Sequence, residues 1–374
     1  CINNLMKGWN FMKRCFVLFL ILLFLLPAAN ATEATEAEFP FEASDWAHED
    51  IVKAIDLKIL DTSYVVDLRL PIRRGDFAEK AASLVAIEFG SDLKCYVRIM
   101  DDREMAESGD SCSFSLTALD VANNLGIIEG REDGDWDADS YITRQEAAVM
   151  LAKTYRAYHG NVPDTLQSFS FADQGDIADW AMDDVRLMNQ LGIMTGTEDN
   201  RFDPLGSYTI EQCLVTLMRL HEKCPYDGSK QENPFAIPVL EGGLVKNWEN
   251  GSQAFYIETK EYYICAFVNG FSLANLSYHI DVIDQNFTLR SYPAVIVTSS
   301  NYYRGDIDAR PQNPSISEDG TKLIYTATVE EDVYYTDAEG KPGPTPIFLK
   351  GIYTVTMDLK TGEQTYTRAD FPES

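Results

Sequence analysis

The chain has 374 residues, in which 31 lysines and arginines face 59 aspartates and glutamates, so its formal net charge is −28 at pH 7. Nucleic acids and anionic membrane surfaces attract proteins of positive potential, so this charge argues against both as partners. The seven cysteines include no Cys-x-x-Cys pair and the four histidines no His-x-x-x-His pair. We therefore predict neither a metal site nor a cofactor.

The first 31 residues predict a secretory signal peptide. Lys7, Lys13 and Arg14 precede an apolar run over 15–27, and Ala29-Asn30-Ala31 follows it. A basic start, a short apolar segment and a small-residue exit are typical of signal peptides. We expect cleavage after Ala31, export, and no membrane partner for the mature chain. A retained anchor is the alternative, and the shortness of the run for a membrane span argues against it.

A unit of about 45 residues recurs three times between residues 39 and 224. Each copy opens on an aromatic residue and has apolar residues five, eight and eleven positions later. The opening residues are Trp46, Phe114 and Trp180; Ile51, Leu119 and Val185 follow, then Ala54, Ala122 and Met188, then Leu57, Leu125 and Leu191. This spacing follows one face of an α-helix. One unit cannot bury that face alone, so the copies should stack.

Two glycines bound a loop in each of the later copies. Gly126 and Gly192 follow the first helix, where a left-handed glycine can end it, and Gly130 and Gly196 close the matching runs 126–130 and 192–196. The first copy has Lys58 instead of the first glycine.

The second helix of each later copy should begin at a capping box, which is Thr-Arg-Gln-Glu at 143–146 and Thr-Ile-Glu-Gln at 209–212. The first copy has Arg-Arg-Gly-Asp at 73–76, which keeps the acid but lacks the cap.

Together with Phe171-Ala-Asp, Trp180-Ala and Phe202-Asp-Pro in the third copy, these motifs resemble the S-layer homology (SLH) repeat. The tetrad at 143–146 is similar to the Thr-Arg-Ala-Glu-like tetrad of that family. The resemblance implies three repeats, at 39–92, 110–160 and 168–224, arranged as an all-α bundle with pseudo-threefold symmetry. It also implies a noncovalent cell-surface anchor whose grooves bind an anionic, often pyruvylated, secondary cell-wall polysaccharide.

The resemblance assigns the sugar-binding arginine to the second tetrad position, which is Arg74 in the first copy and Arg144 in the second. Ile210 stands there in the third copy, so we expect its groove to be weak or silent. A guanidinium offers the fixed, forked donors that a ketal carboxylate needs, and a helix start favours anions. The alternative is that both arginines pair with nearby acids. The neighbouring grooves would be shaped by Gly126, Gly130, Gly192 and Gly196.

Other residues leave alternatives open. Trp46 and Trp180 could stack on a sugar or pack in the core, and Phe114 at the equivalent position favours packing. Residues 135–146 match the acidic spacing of an EF-hand, but Ser140 replaces its glycine, so a solvated acidic loop is the simpler interpretation. Cys95 could pair with Cys112. Cys213 and Cys224 would lie ~16 Å apart on one helix, so we expect two buried thiols.

The sequence changes character after Cys224. Residues 225–236 predict a linker, and 237–374 alternate apolar and polar residues as strands do. Turn-forming residues at 284–286 and 358–362 predict hairpins, and those at 317–320 predict a further turn beside a strand. The whole chain is therefore predicted to be an α+β multidomain protein, with a sandwich-like antiparallel β domain after the helical repeats.

The predicted function is cell-surface anchoring, with the β domain as displayed cargo. We find no catalytic set in the sequence and do not predict an enzyme. Two alternatives remain: an envelope enzyme that acts on glycan or peptide, and a β-domain adhesin. A β-domain pocket with a carboxylate pair would favour the enzyme.

Overall fold

The computed structural model describes residues 41–372 apart from 62–66, 109–115, 131–134, 161–162, 164, 231, 239, 241, 249–252, 270–276, 295–309, 331 and 337–341. The predicted signal peptide, Cys112 and Phe114 lie outside these residues. The chain divides into two units. The first comprises 1–42 and 65–67, in which Glu42 and Asp67 form a parallel bridge. The second comprises 43–64 and 68–374, and the following paragraphs concern it alone.

The described residues of the N-terminal half form helices and short 3₁₀ turns. The helices are α1 (His48–Asp56), α2 (Arg74–Glu88), α3 (Leu93–Ser108), α4 (Ala118–Asn124), α5 (Arg144–Tyr158), α6 (Met182–Gln190) and α7 (Ile210–Lys223). Three of the helices, α1, α4 and α6, each precede a longer one, which gives the helix pairs α1/α2, α4/α5 and α6/α7. The predicted capping boxes at Thr143 and Thr209 are confirmed, and Thr117 adds one at α4 that we did not predict.

The three helix pairs close into a ring. The second helices α2, α5 and α7 pack against one another at the centre, and each first helix packs on the second helix of the preceding pair, so α1 returns to α7. Backbone hydrogen bonds follow the same cycle. The Ile72 N–H donates to the Tyr208 carbonyl (2.8 Å), the Tyr208 N–H to Ile142 (3.1 Å) and the Ile142 N–H to Ile72 (3.3 Å). The pseudo-threefold arrangement is thus as predicted.

The described C-terminal half is built of antiparallel strands: β1 (Leu244–Asn247), β2 (Gln253–Glu258), β3 (Tyr262–Asn269), β4 (Ser277–Asp284), β5 (Leu289–Pro293), β6 (Gln312–Ile316), β7 (Lys322–Val329), β8 (Val333–Thr336), β9 (Pro342–Phe348), β10 (Gly351–Asp358) and β11 (Gln364–Ala369). One sheet has the order β1-β2-β3-β4-β5, a second has β11-β10-β7-β6, and β8 pairs with β9. The predicted hairpins β4–β5 and β10–β11 are confirmed, and the predicted turn at 317–320 joins β6 to β7 in a third hairpin.

The two larger sheets face each other across one apolar core, as in a sandwich. Phe255 and Ile264 of the first sheet meet Tyr325 and Val355 of the second, and all four side chains are buried. Alternate residues of β7 and β10 point into this core, which is why the sequence shows a period of two.

Helix α3 joins the helical half to the β half, and the sequence did not predict it. Its residues Ile99 and Met105 pack with Trp248 and Tyr256 on the face of the five-stranded sheet that points away from the sandwich core. The adjoining segment 225–236 is also packed, because Phe235 is buried and meets the edge of the Tyr96 ring. The halves therefore share an interface, and the predicted linker and domain boundaries remain predictions.

Asp102 on α3 makes this interface sensitive to pH. The carboxyl is 5% exposed, accepts from Gln253 Nε2 (2.8 Å) and lies 3.6 Å from Arg98 Nε. Burial raises its pKa from 3.8 to about 6, although Arg98 opposes that shift. The folded state thus binds more protons than the unfolded state between these values, so this carboxyl's contribution to stability falls as the pH rises through that window.

We expect Asp102→Asn to remove this dependence. Between pH 4.5 and pH 7 the unfolding free energy of the variant relative to the parent should rise by about 2 kcal/mol. Urea denaturation at both pH values measures it. A difference that stays constant between the two would show that Asp102 titrates normally.

The four cysteines among the described residues are free, buried thiols. Cys213 and Cys224 are buried thiols, as predicted. Cys95 is also a buried thiol and donates to the Phe287 carbonyl (3.4 Å), and its predicted partner Cys112 lies outside the described residues.

Among the described helices we find none with the length and apolar character that crossing a membrane would require.

Candidate functional site

Three junctions between helix pairs are the candidate binding sites. At each junction a second helix begins against the backbone of the next pair. The Arg74 N–H donates to the Ser140 carbonyl (2.8 Å), that of Arg144 to Gly206 (2.9 Å) and that of Ile210 to Leu70 (3.0 Å). We call the junctions at Arg74, Arg144 and Ile210 grooves A, B and C. The three residues are structurally equivalent, in agreement with the tetrad alignment.

The starts of these helices offer few free donors. In groove B the Gln145 N–H donates to Pro204 (3.0 Å), and the Glu146 N–H donates to Thr143 Oγ1 (3.4 Å). The first N–H groups of α5 are therefore already satisfied, as are those of α2 at Arg74 and Gly75. An anion in groove A or B would consequently meet the arginine side chain rather than free backbone donors, and the helix would add only its dipole.

Arg144 lies between the second and third helix pairs. Its Nη2 donates to the Thr195 carbonyl (2.7 Å), and its guanidinium carbon lies 5.3 Å from the centre of the Phe202 ring. Its Nε is buried and has no hydrogen-bond partner in the described part of the chain. Burial lowers the pKa of this guanidinium, partly opposed by Tyr208 and Asp203. No described carboxylate lies within 4 Å of it.

Arg74 occupies the equivalent position in groove A. Its Nε donates to the Trp136 carbonyl (3.2 Å), its Nη2 to the Glu129 carbonyl (3.5 Å), and its Nη1 lies 4.0 Å from Met150 Sδ. The ion pair at this helix start belongs instead to its neighbour Arg73, which meets Asp139 at 3.1 Å. Within the described ranges, neither Arg74 nor Arg144 is neutralised by a carboxylate, so the salt-bridge alternative has no support there.

The predicted glycines border grooves A and B. Gly126 (φ +71°) and Gly192 (φ +67°) both end their helices in the left-handed region. The loop 126–130 reaches Arg74 through Glu129, and the loop 192–196 reaches Arg144 through Thr195. A Cβ on Gly196 would stand 3.0 Å from the Phe171 ring and 3.1 Å from the Arg201 carbonyl, so a side chain there would disturb the loop. Gly130 is exposed.

Both tryptophans are exposed, 55% at Trp46 and 60% at Trp180, so the core-packing interpretation was wrong. The preceding segments dock at helix starts. The Ala178 N–H donates to Gln145 Oε1 (3.0 Å), which brings the Trp180 segment to groove B, and the Ser44 N–H donates to Glu211 Oε2 (2.8 Å), which brings the Trp46 segment to groove C. Groove B thus combines an arginine with a bordering exposed tryptophan segment.

Sequence reasoning missed the residues that hold these segments. Gln145 and Glu211 are each 5% exposed and occupy the third tetrad position, directly after Arg144 and Ile210. The sequence did contain an indication of this role, because a polar residue recurs at the same position of two tetrads. The sequence indicated Phe202 only as part of the Phe-Asp-Pro motif and did not predict that its ring lies under the Arg144 guanidinium.

The carboxylates of the acidic loop at 135–146 do not converge on one point, as the ligands of an EF-hand do, but contact other groups of the protein. Glu146 Oε2 accepts from the Thr143 N–H (2.7 Å) and from Thr143 Oγ1 (2.8 Å), so this carboxylate serves the capping box. Asp139 pairs with Arg73, and Asp137 accepts from Ser140 Oγ (2.5 Å). These contacts favour the solvated loop over a calcium site.

One buried carboxylate pair in the described residues bears on the enzyme alternative. Asp281 and Asp102 lie 2.7 and 3.6 Å from Arg98 nitrogens. The cavity beside them is about 10 Å³, which is at the lower limit for one water molecule. This pair therefore cannot act on a glycan.

Comparison with known proteins identifies residues 170–206 as matching the S-layer homology domain. An amylopullulanase of Thermoanaerobacterium thermosulfurigenes is 28% identical over 147 residues, which is 39% of this chain and 8% of the relative. The exoglucanase XynX of Acetivibrio thermocellus is 27% identical over 147 residues, 39% of this chain and 13% of the relative. An endoglucanase of Bacillus sp. (strain KSM-635) is 24% identical over 111 residues, which is 30% of this chain and 12% of the relative. So small a share of each relative carries none of its activity to this chain.

Proposed function

Since the chain carries an S-layer homology domain at residues 170–206, which implies association with the cell surface, we propose that its helical half binds an acidic secondary cell-wall polysaccharide. The β half would then be displayed as cargo at that surface. The matched segment lies within the third predicted repeat. The division into three repeats belongs to this proposal, with the ring of three helix pairs as its support.

The observation that carries the proposal is the environment of Arg144. A partly buried cation that lacks a counter-ion gains a charge-assisted hydrogen bond when an anion binds to it. Arg144 is half-buried with no described carboxylate within 4 Å, and Phe202 and the Thr195 carbonyl hold its guanidinium in place. A pyruvate ketal on a sugar presents a carboxylate of the right size and charge for a forked guanidinium.

The three grooves should contribute unequally. Groove B has Arg144, the 192–196 loop and the Trp180 segment, whose exposed indole could stack on a sugar face. Groove A has Arg74 and the 126–130 loop. Groove C has the exposed Trp46 near it, but Ile210 offers no cation. We therefore propose groove B as the main site, groove A as a second site and groove C as silent.

The net charge of −28 adds a condition to this binding. An acidic glycan is repelled by this protein at long range, and only close contacts with Arg74 and Arg144 oppose the repulsion. Salt screens the long-range term more than a partly buried contact. Moderate salt or divalent cations should therefore strengthen retention.

We expect Arg144→Ala to weaken retention of the full chain on purified cell walls by about ten- to a hundredfold, the loss of one charge-assisted contact. Co-sedimentation with walls measures it, before and after chemical removal of the secondary polysaccharide. Arg74→Ala should weaken retention less, and the double variant should abolish it.

Two variants serve as controls. Ile210→Ala should leave retention unchanged if groove C is silent. Arg186→Ala removes an equal charge from α6, where Arg186 pairs with Asp183 at 2.9 Å, and should also have little effect. Undiminished binding to polysaccharide-free walls would refute the glycan proposal, and so would equal losses in the Arg144 and Arg186 variants.

A further inference from the structure

A second pocket adjoins groove A and shares a residue with it. The pocket is about 430 Å³, within the size range of small-ligand sites. The cations Lys153, Arg156 and Lys230 line it, together with the carboxylates of Glu129 and Glu232. Glu129 connects the two sites. Its carbonyl accepts from Arg74 in groove A (3.5 Å), and its carboxylate meets Lys153 Nζ at 2.8 Å in the pocket. Two of the three cations are already paired, Lys153 with Glu129 and Arg156 with Asp184 (2.7 Å), and Lys230 is the third.

Segment 225–236 supplies one of these cations. The Tyr226 hydroxyl donates to the Lys230 carbonyl (2.6 Å), and the Gly160 N–H donates to Ser229 Oγ (2.8 Å), so the backbone around Lys230 is held against the helical half. The Lys230 ammonium lies 3.5 Å from the Arg156 carbonyl. No carboxylate in the described part of the chain comes within 4 Å of it, so this ammonium lacks a counter-ion there.

The equivalent place in the first helix pair lacks this feature. A pocket of about 270 Å³ is lined there by Lys58 and Lys94, but Lys58 pairs with Asp92 (3.7 Å) and Lys94 with Asp61 (3.1 Å). Ser83 of α2 lines this pocket at the position where Lys153 of α5 lines the pocket beside groove A, so the first helix pair has a neutral residue in place of a lysine. Among the described residues, the pocket beside groove A thus has a lysine without a counter-ion, and its counterpart in the first helix pair does not.

We propose that the Lys153/Lys230 pocket is a second subsite for the acidic glycan. This inference rests on the proposed function. Arg74 would hold the carboxylate of one acidic sugar, and the Lys153/Lys230 pocket would hold the carboxylate of a second acidic sugar on the same polysaccharide chain. Glu129 and Glu232 do not block the subsite, because both are exposed, Glu129 to 70%, and can turn to solvent when a glycan carboxylate meets Lys153 and Lys230. Holding one chain at two points raises affinity beyond that of either point.

The test compares two probes on the full chain by isothermal titration calorimetry. One is a methyl glycoside with a single 4,6-linked pyruvate ketal. The other is an oligosaccharide with at least two pyruvylated sugars, released from wall polysaccharide. We expect Lys153→Gln/Lys230→Gln to weaken oligosaccharide binding about tenfold and to leave the monosaccharide unchanged. The single variant Lys230→Gln should show part of this loss.

The control Lys322→Gln/Lys350→Gln removes two exposed charges from the β half and should change neither affinity. An equal loss there would overturn the subsite in favour of general electrostatics, and so would equal affinities of the parent for the two probes. Failure of the proposed function looks different, because the parent would then bind neither probe and Arg144→Ala would have no effect. Circular dichroism melting confirms that each variant is folded.

Discussion

Replacement of Glu258 by alanine should lower the free energy of unfolding by about 3–5 kcal/mol, because it leaves a buried arginine without its counter-ion. Glu258 is 2% exposed and Arg103 is 8% exposed. Arg103 Nη2 donates to Glu258 Oε1 (2.5 Å) and Nε donates to Oε2 (3.0 Å), which is the bidentate geometry of a strong pair. The pair joins α3 to β2, so its loss weakens the contact between the halves.

The surroundings of the pair explain why truncation should be costly. Arg103 Nη2 also donates to the Pro238 carbonyl (2.6 Å), and the Tyr256 hydroxyl donates to Glu258 Oε2 (3.3 Å). Glu258→Ala therefore strands the guanidinium and removes an acceptor from a buried tyrosine.

A set of variants separates the pair's own contribution from the cost of breaking it. Glu258→Gln keeps one acceptor and should cost less than alanine. Arg103→Met/Glu258→Leu removes both charges and should lie close to the parent, since apolar replacement of a buried pair is often neutral. Urea denaturation followed by tryptophan fluorescence measures all three, and Trp248 packs in the same cluster. A loss below 1 kcal/mol for alanine would show that water reaches the pair.

The parts of the fold that sequence could predict depend on local spacing. The capping boxes at Thr143 and Thr209 use residues three apart, and the hairpin turns use fewer than six, so each motif contains its own signal. The equivalence of Arg74, Arg144 and Ile210 followed from aligning such motifs. The position of those arginines at junctions between helix pairs followed in turn from the need of each unit to stack.

The parts that sequence did not predict depend on distant partners. Helix α3 shows little amphipathic pattern of its own, because Ile99 packs on the sheet while Arg98 and Arg103 pair with Asp281 and Glu258 of that sheet. No local rule connects residues more than 150 positions apart.

The exposure of the tryptophans was within reach of sequence reasoning. Ala47 and Ala181 are fully buried and directly follow Trp46 and Trp180. Consecutive residues at a helix start point about 100° apart, so a buried alanine turns its neighbour toward solvent. A buried stripe that begins at the alanine therefore places the preceding tryptophan on the surface.

Tyr208 marks the centre of the ring of helix pairs, and Tyr208→Ala should cost about 3–5 kcal/mol. Its side chain is fully buried and its ring centre lies 6.3 Å from that of Phe77. Its hydroxyl donates to the Gln212 carbonyl (3.1 Å) and lies 2.8 Å from Thr216 Oγ1. Truncation leaves a cavity beside the backbone cycle that closes the ring, so the whole helical half should lose stability.

The pseudo-threefold relation supplies the matched control, because Ile72 and Ile142 occupy the positions equivalent to Tyr208. Tyr208→Ile refills much of the cavity with the residue that the other two positions use, and it should recover part of the alanine loss. Tyr208→Phe keeps the ring and should cost about 1 kcal/mol for the hydroxyl's hydrogen bonds. Urea denaturation followed by circular dichroism at 222 nm measures the series. If isoleucine were as costly as alanine, the three positions would not be interchangeable in packing, and the symmetry would be confined to the backbone.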